Sequence, residues 1–142
     1  MWHPFPAVLA RCLLCALSLL ASSCSSAYEI VFHVSLADDV EVPPQVFVAF
    51  LIVERGMSVD SASARSQIPV THGVRGYTGK GSVCCSPSPT VDLYAFIDLD
   101  GDRKLDADEP RGADPKNPVT LSDATAAFRS QIVLTRPSEP TP

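Results

Sequence analysis

The chain has 142 residues, with 11 Lys or Arg against 16 Asp or Glu, so its formal net charge is −5. This length predicts a single domain. The acidic balance argues against nucleic acid and against anionic membrane surfaces as partners, because both are bound through basic surfaces.

Residues 1–23 are predicted to be a secretory signal peptide. Their first part carries one positive charge, Arg11, and no acid, and the apolar run CLLCALSLL follows at residues 12–20. Small residues follow at 21–23. A charged start, an apolar core and a small-residue cleavage region are, in this order, the pattern of a cleavable export signal. The apolar run of nine residues is shorter than the roughly 20 that span a bilayer as a helix. The mature chain is therefore expected to be exported.

Residues 20–24, Leu-Ala-Ser-Ser-Cys, resemble the lipobox of bacterial lipoproteins. The resemblance implies that Cys24 is acylated, becomes the first mature residue and holds the protein at the outer membrane or cell surface. The cysteine count agrees, because lipidation of Cys24 leaves Cys84 and Cys85 as one pair. The alternative is an ordinary signal peptide that leaves Cys24 as a plain thiol.

Residues 24–135 are predicted to form an all-β domain, a single antiparallel β-sandwich of about seven strands. Residues 28–36 alternate between apolar and polar side chains, which is typical of a half-buried strand. Residues 46–53 (VFVAFLIV) are apolar on both faces and favour a central strand. The other predicted strands are residues 68–70, 91–98, 119–121 and 128–135, and residues 73–81 are predicted to be turns around an edge strand. The alternative at residues 119–121 is the start of a helix that Ser122 would cap.

Three further segments complete this prediction. In the strand at residues 91–98, the odd-numbered side chains are expected to face the core, with Asp92, Tyr94 and Phe96 on the opposite face. Residues 54–66 are polar and rich in Ser and Ala, so a loop and a short helix both stay open. The Pro-rich residues 136–142 are predicted to be a disordered tail.

The most informative segment is the acidic loop, residues 98–109, which carries six of the 16 acidic residues. With Asp98 as position 1, its spacing is that of the twelve-residue EF-hand calcium loop. Calcium takes six to eight oxygen ligands, and this loop offers that many. The candidate ligands are Asp98, Asp100, Asp102, Lys104, Asp106 and Glu109, with Lys104 contributing its backbone carbonyl.

Two features separate the acidic loop from an EF-hand. Arg103 stands at position 6, where the EF-hand has Gly because the chain turns there with positive φ, a conformation that costs a non-Gly residue about 1–2 kcal/mol. Gly101 is the alternative place for the turn. The preceding residues 91–97 have the period of a strand, and Pro110 opposes a helix directly after Glu109.

The pattern from Phe96 to Pro110, a strand followed by Asp-x-Asp-x-Asp-x-x-x-Asp-x-x-Glu-Pro, resembles known calcium loops. It is similar to loops in the B-type repeats of Gram-positive surface adhesins and in bacterial prealbumin-like and carboxypeptidase-regulatory-like modules. The resemblance implies a β-sandwich and the ligands given above. We expect weak binding, with a dissociation constant on the order of 10⁻⁴–10⁻³ M. The alternative is a solvated acidic turn, partly neutralised by Arg103, Lys104 and Arg111.

Other residues predict no catalytic site. His33 and His72 are isolated, and the glycine-rich residues 76–82 lack the spacing of a phosphate loop. Neighbouring Cys84 and Cys85 are compatible with a strained vicinal disulfide or with two thiols. We therefore expect a non-enzymatic cell-envelope module that binds Ca²⁺ and an envelope or surface protein or glycan. The second hypothesis is a periplasmic metal or ligand carrier that uses Cys84-Cys85 together with the histidines.

Overall fold

The computed structural model describes residues 27–84, 86–122 and 124–137. The predicted signal peptide, Cys24, Cys85 and most of the predicted tail lie outside these residues. The described secondary structure comprises a 3₁₀ helix, Val59–Ser61, and the strands β1 (Ala27–Leu36), β2 (Phe47–Glu54), β3 (Ser66–Pro69), β4 (Gly76–Cys84), β5 (Thr90–Asp98), β6 (Arg111–Ala113), β7 (Val119–Thr120) and β8 (Phe128–Leu134).

The strands form two sheets, and the predicted all-β sandwich is confirmed. One sheet has the order β4-β1-β8, and the other has the order β3-β2-β5-β6 with β7 also paired to β5. All pairs are antiparallel except β1 and β8, which are parallel. This exception arises because β7 pairs with the start of β5. The chain therefore enters β8 at the end of the sandwich where β1 begins.

Between the sheets lies the main core, built from the inward faces of β1, β2 and β5. Side chains at alternating positions are buried there, including Phe32 of β1, Phe50 of β2 and Leu93 of β5. The strand β4 supplies glycine at two inward positions. A Cβ atom on Gly79 would lie 2.3 Å from the Phe50 ring, and one on Gly81 would lie 2.8 Å from Ile52. The glycine-rich segment is therefore an edge strand whose missing side chains make room for large neighbours.

A second apolar cluster covers the outer face of β2 and β5. Phe96, predicted on the face away from the core, is fully buried there beside Leu51. Ala62 and Ala64 cover this face from the segment whose conformation the sequence left open, and Leu105 of the acidic loop packs against it. The two covered faces explain why residues 46–53 are apolar throughout.

The sequence did not predict β6, whose three residues connect the two sheets at one side of the sandwich. Arg111 and Thr135 exchange two backbone hydrogen bonds, each 3.0 Å long. The buried Asp114 carboxylate accepts a 2.6 Å hydrogen bond from the Ser130 hydroxyl. Closure here places the two ends of the acidic loop beside each other, since β5 leads into the loop and β6 follows it.

Candidate metal site

The acidic loop leaves the sheet at Asp98, the last residue of β5, and returns at Pro110. The Ile97 N–H donates to the Pro110 carbonyl at 2.9 Å, which holds the two ends together. Asp98 and Glu109 are each only 1% exposed, although both are acids. The first and last predicted ligands are therefore withdrawn from water at the base of the loop.

The Asp98 carboxylate is oriented by donors from three directions. Its Oδ1 accepts from the Gly101 N–H at 2.7 Å, and its Oδ2 accepts from the Arg103 N–H at 3.1 Å. The Gln67 side-chain amide also donates to Oδ2. Each carboxylate oxygen has two lone pairs, so these bonds position the group while leaving it able to bind a cation.

The Glu109 carboxylate is held at both oxygens. Its Oε1 accepts from the Leu99 N–H at 2.8 Å, and its Oε2 accepts from the Asp106 N–H at 2.9 Å. Two donors on separate residues fix the plane of the carboxylate. A fixed plane is what a bidentate ligand at the last position of a calcium loop requires.

The five predicted carboxylates form two overlapping groups. One oxygen from each of Asp98, Asp100 and Asp102 lies within 4.8 Å of the others, and the same holds for Asp100, Asp106 and Glu109. Ligands at 2.3–2.6 Å from one Ca²⁺ are at most about 4.6–5.2 Å apart. Each group of three meets this limit by itself, and Asp100 belongs to both. The contribution of the Lys104 carbonyl stays a prediction.

Two residues outside the acidic loop support it, and sequence reasoning missed both. Gln67 lies in β3 and reaches Asp98 from 31 positions away. The Ala64 N–H donates to the Arg103 carbonyl at 2.8 Å. Neither belongs to a motif, so only the pairing of β3 with β2 brings them to the loop.

Both turn positions considered from the sequence adopt positive φ, at 84° for Gly101 and 67° for Arg103. Arg103 thus takes the left-handed conformation in spite of its side chain. The resulting hydrogen bond from its N–H to Asp98 fixes the first ligand. The loop keeps the backbone path of a glycine at position 6 and carries the strain of a residue with a Cβ.

Replacing Arg103 with Gly is expected to stabilise the domain relative to replacement with Ala. Both variants lose the same positive charge, but only Gly removes the left-handed strain, so it should raise the free energy of unfolding by about 1 kcal/mol over Ala. Urea unfolding of the two variants measures this difference. At an ordinary φ the order would be reversed, and finding Ala the more stable would contradict the backbone assignment.

Electrostatics in the acidic loop disfavour full ionisation. Burial raises the pKa of Glu109, against the opposing hydrogen bonds from Asp106 and Leu99, and the charges of Asp98 and Asp106 raise it further. Partial desolvation raises the pKa of Asp106, and the negative charges of Asp102, Asp100 and Asp108 raise it further. Between described residues, the ion pairs are Arg65–Glu54 and Lys80–Glu29, which lie outside the loop. The positive charge of Lys104 partly opposes the rise in the pKa of Asp106.

In chelator, the domain is expected to lose stability as pH rises. A folded-state pKa above the unfolded one means that the folded state binds its proton more tightly, so stability is greatest at low pH and falls as Glu109 ionises. Calcium should reverse the slope, because it binds the ionised carboxylates. Urea unfolding between about pH 4.5 and pH 7 tests this. In chelator, Glu109→Gln should reduce the decrease in unfolding free energy with rising pH. Glu41→Gln, in an exposed loop, is the control and should show the same decrease as the wild type.

The residues of the alternative carrier hypothesis lie apart from one another. His33 in β1 contacts Thr78 of β4 at 3.4 Å. Cys84 ends β4 six residues after Thr78, so it lies about 20 Å from that contact. His72 lies in the β3–β4 turn at the opposite end of β4 from Cys84. Within the described part of the chain, the potential metal-binding groups contain only residues of the acidic loop. The oxidation state of Cys84 and Cys85 stays open, because Cys85 lies outside the described residues.

No protein-family model matches the chain, and no curated protein matches it. Among solved structures, it is similar to an alternative pilotin from the type II secretion system of Vibrio cholerae, with 13% sequence identity and a TM-score of 0.43. The match covers 76% of this chain and 95% of that chain. The resemblance to adhesin repeats and prealbumin-like modules stays a prediction. None of the described residues forms a helix long and apolar enough to cross a bilayer.

Proposed function

We propose that this chain is a lipid-anchored cell-envelope protein whose β-sandwich binds one Ca²⁺ in the acidic loop and serves as an interaction module. The calcium is proposed on one observation, the burial of Asp98 and Glu109 at the point where the other loop carboxylates converge. Burying charge is unfavourable unless an opposite charge accompanies it. A divalent cation bound by oxygen ligands would supply that charge.

Calcium has a structural role in this proposal. The ion would hold the acidic loop in one conformation and, through the hydrogen bond from Ala64 to Arg103, would stabilise the segment that covers the outer face of β2 and β5. The exposed parts of both segments then form one ordered surface. An envelope protein or a surface glycan is the kind of partner we propose for it.

Thermal unfolding of the chain from Ser25 onward tests the calcium proposal. Millimolar Ca²⁺ should raise the melting temperature relative to chelator, and a concentration of 100 times the dissociation constant should add about 2.7 kcal/mol. Mg²⁺ should add less, because it demands a smaller octahedral site and keeps its waters. Identical melting in calcium and in chelator would refute the proposal.

Expression of the full chain in a Gram-negative host tests the lipid anchor. The mature protein should carry an acylated Cys24 by mass spectrometry and should sediment with the membranes. Cys24→Ser should carry no acyl mass, because this side chain is the proposed acylation site. An unmodified Cys24 in a soluble mature protein would show an ordinary secreted chain instead.

A further inference from the structure

The proposed lipid anchor lies very close to the folded domain. Two residues, Ser25 and Ser26, separate Cys24 from Ala27, the first residue of β1. The three steps from Cys24 to Ala27 span at most about 10 Å. The end of the sandwich where β1 begins must therefore stay next to the bilayer, whereas a long linker would leave the orientation of the domain free.

The sheet pairings show which segments share this end, here called the proximal end. The start of β1 pairs with the end of β4, and the Ser88 N–H in the β4–β5 turn donates to the Tyr28 hydroxyl at 3.1 Å. In the other sheet, β2 runs in the same direction as β4, since Phe50 lies over Gly79 and Ile52 over Gly81. The β2–β3 turn that follows Glu54 is thus also proximal.

The proximal end presents an apolar side chain to solvent. Met57, in the β2–β3 turn, is 48% exposed. The other large apolar side chains that are exposed in the described residues lie away from it: Val133 beside Ser35, Leu99 in the acidic loop, and Val74 in the β3–β4 turn. A flexible, apolar Met at this position suits contact with the headgroup and acyl boundary.

Most of the acidic residues lie toward the opposite, distal end. Near the proximal end, Glu29 and Glu54 are paired with Lys80 and Arg65, and Asp60 lies in the β2–β3 turn. The acidic loop starts from Asp98, which pairs with Phe47 at the start of β2, and Asp38, Asp39 and Glu41 lie in the loop after β1. Seven strand steps separate Phe47, the partner of Asp98, from Glu54 at the proximal end, which is about 23 Å. Repulsion by an anionic leaflet is screened over that distance. The negative net charge of the chain is therefore compatible with a membrane contact at the proximal end.

We infer that the proximal end rests on the lipid surface with Met57 in the interface, and that the base of the acidic loop at Asp98 lies at the distal end of the sandwich. The inference rests on the proposed acylation of Cys24. The β-sandwich then acts as a rigid spacer, and the calcium-bound surface is presented to partners beyond the headgroups.

Single tryptophan probes test this orientation, because the one tryptophan of the chain is Trp2 in the predicted signal peptide. The full chain is produced with Met57→Trp or, as the matched distal control, with Val74→Trp, a site that is 41% exposed. Each purified lipoprotein is placed in phosphatidylethanolamine–phosphatidylglycerol vesicles with brominated acyl chains. The proximal probe should lose most of its emission, and the distal probe should keep it. Arg55→Trp, an exposed position in the same turn, is a second proximal probe.

Two kinds of result would overturn the inference, and they are distinguishable. Vesicle-bound, acylated protein whose proximal probes are unquenched, or are quenched no more than the distal probe, would refute the orientation alone. A mature chain with no acyl mass and no vesicle binding would refute the anchor and the orientation together. The calcium melting experiment on the chain from Ser25 onward does not depend on either result.

Discussion

Replacing Asp98 with Asn is expected to abolish the stabilisation that Ca²⁺ gives the domain. Asp98 is the ligand position whose carboxylate is buried and held by Gly101, Arg103 and Gln67. Asn keeps a carbonyl oxygen but loses the negative charge, so the variant should forfeit the whole shift, about 2.7 kcal/mol at 100 times the wild-type dissociation constant. Urea unfolding in calcium and in chelator measures the loss.

The matched control for this variant is Asp108→Asn. Asp108 lies in the same loop and is exposed, but it falls outside the ligand spacing and outside both carboxylate groups. It removes one charge from the same region, so it controls for general electrostatics. The control should keep most of the calcium shift. Equal losses in the two variants would indicate diffuse attraction of cations by an acidic surface and no defined site.

Replacing Gly112 with Ala is expected to destabilise the domain by about 3 kcal/mol, near the upper end of overpacking costs. A Cβ atom at this position would lie 2.2 Å from the Val133 carbonyl oxygen and 2.7 Å from Ile132. The first contact is with backbone, and β8 cannot easily retreat, because it pairs with β1 over seven residues. The variant would force apart the two sheets where β6 closes the sandwich.

Gly76→Ala is the control for Gly112→Ala. Gly76 also lies in a strand, but a Cβ atom there would meet only the Val34 carbonyl at an ordinary 3.9 Å. Its unfolding free energy should be unchanged or slightly higher, since Ala reduces the freedom of the unfolded chain. Denaturant unfolding of both variants in chelator keeps calcium out of the comparison. A Gly112→Ala variant as stable as the control would contradict the close approach of β6 and β8.

The sequence predicted the core strands well, because their side-chain pattern is a direct consequence of burial. Period-2 alternation identified β1 and the inward face of β5, and the apolar run identified β2. The outward face of β5 was harder. Phe96 is buried there under Ala62 and Ala64, and the polar, Ser- and Ala-rich segment gave no sign that it would fold back over a sheet.

The features that the sequence missed depend on contacts between distant residues. The strand β6 has only three residues, and its pairing with β5 follows from the return of the acidic loop and not from any alternation of its own. The parallel pairing of β1 with β8 depends on where β7 leaves the other sheet. Local propensity contains neither fact.

In the candidate site too, local features were predicted from the sequence and features that depend on distant residues were not. Ligand spacing within one loop is a local property, so Asp98, Asp100, Asp102, Asp106 and Glu109 were found from the sequence and are brought together in space. The burial of Asp98 and its contact with Gln67 depend on the sheet and were not predicted. The positive φ of Arg103 was one of two alternatives, and the chain adopts it along with that of Gly101.

An NMR titration of the ¹⁵N-labelled chain from Ser25 onward is the most direct test of the single calcium site proposed for the acidic loop. With increasing Ca²⁺, the backbone amides of residues 98–109 and of Ala64 should shift together along one binding curve, with a dissociation constant on the order of 10⁻⁴–10⁻³ M. In Asp98→Asn the same amides should stay unshifted over that range. Loop amides that do not move at millimolar Ca²⁺, or that move equally in the variant, would contradict the account.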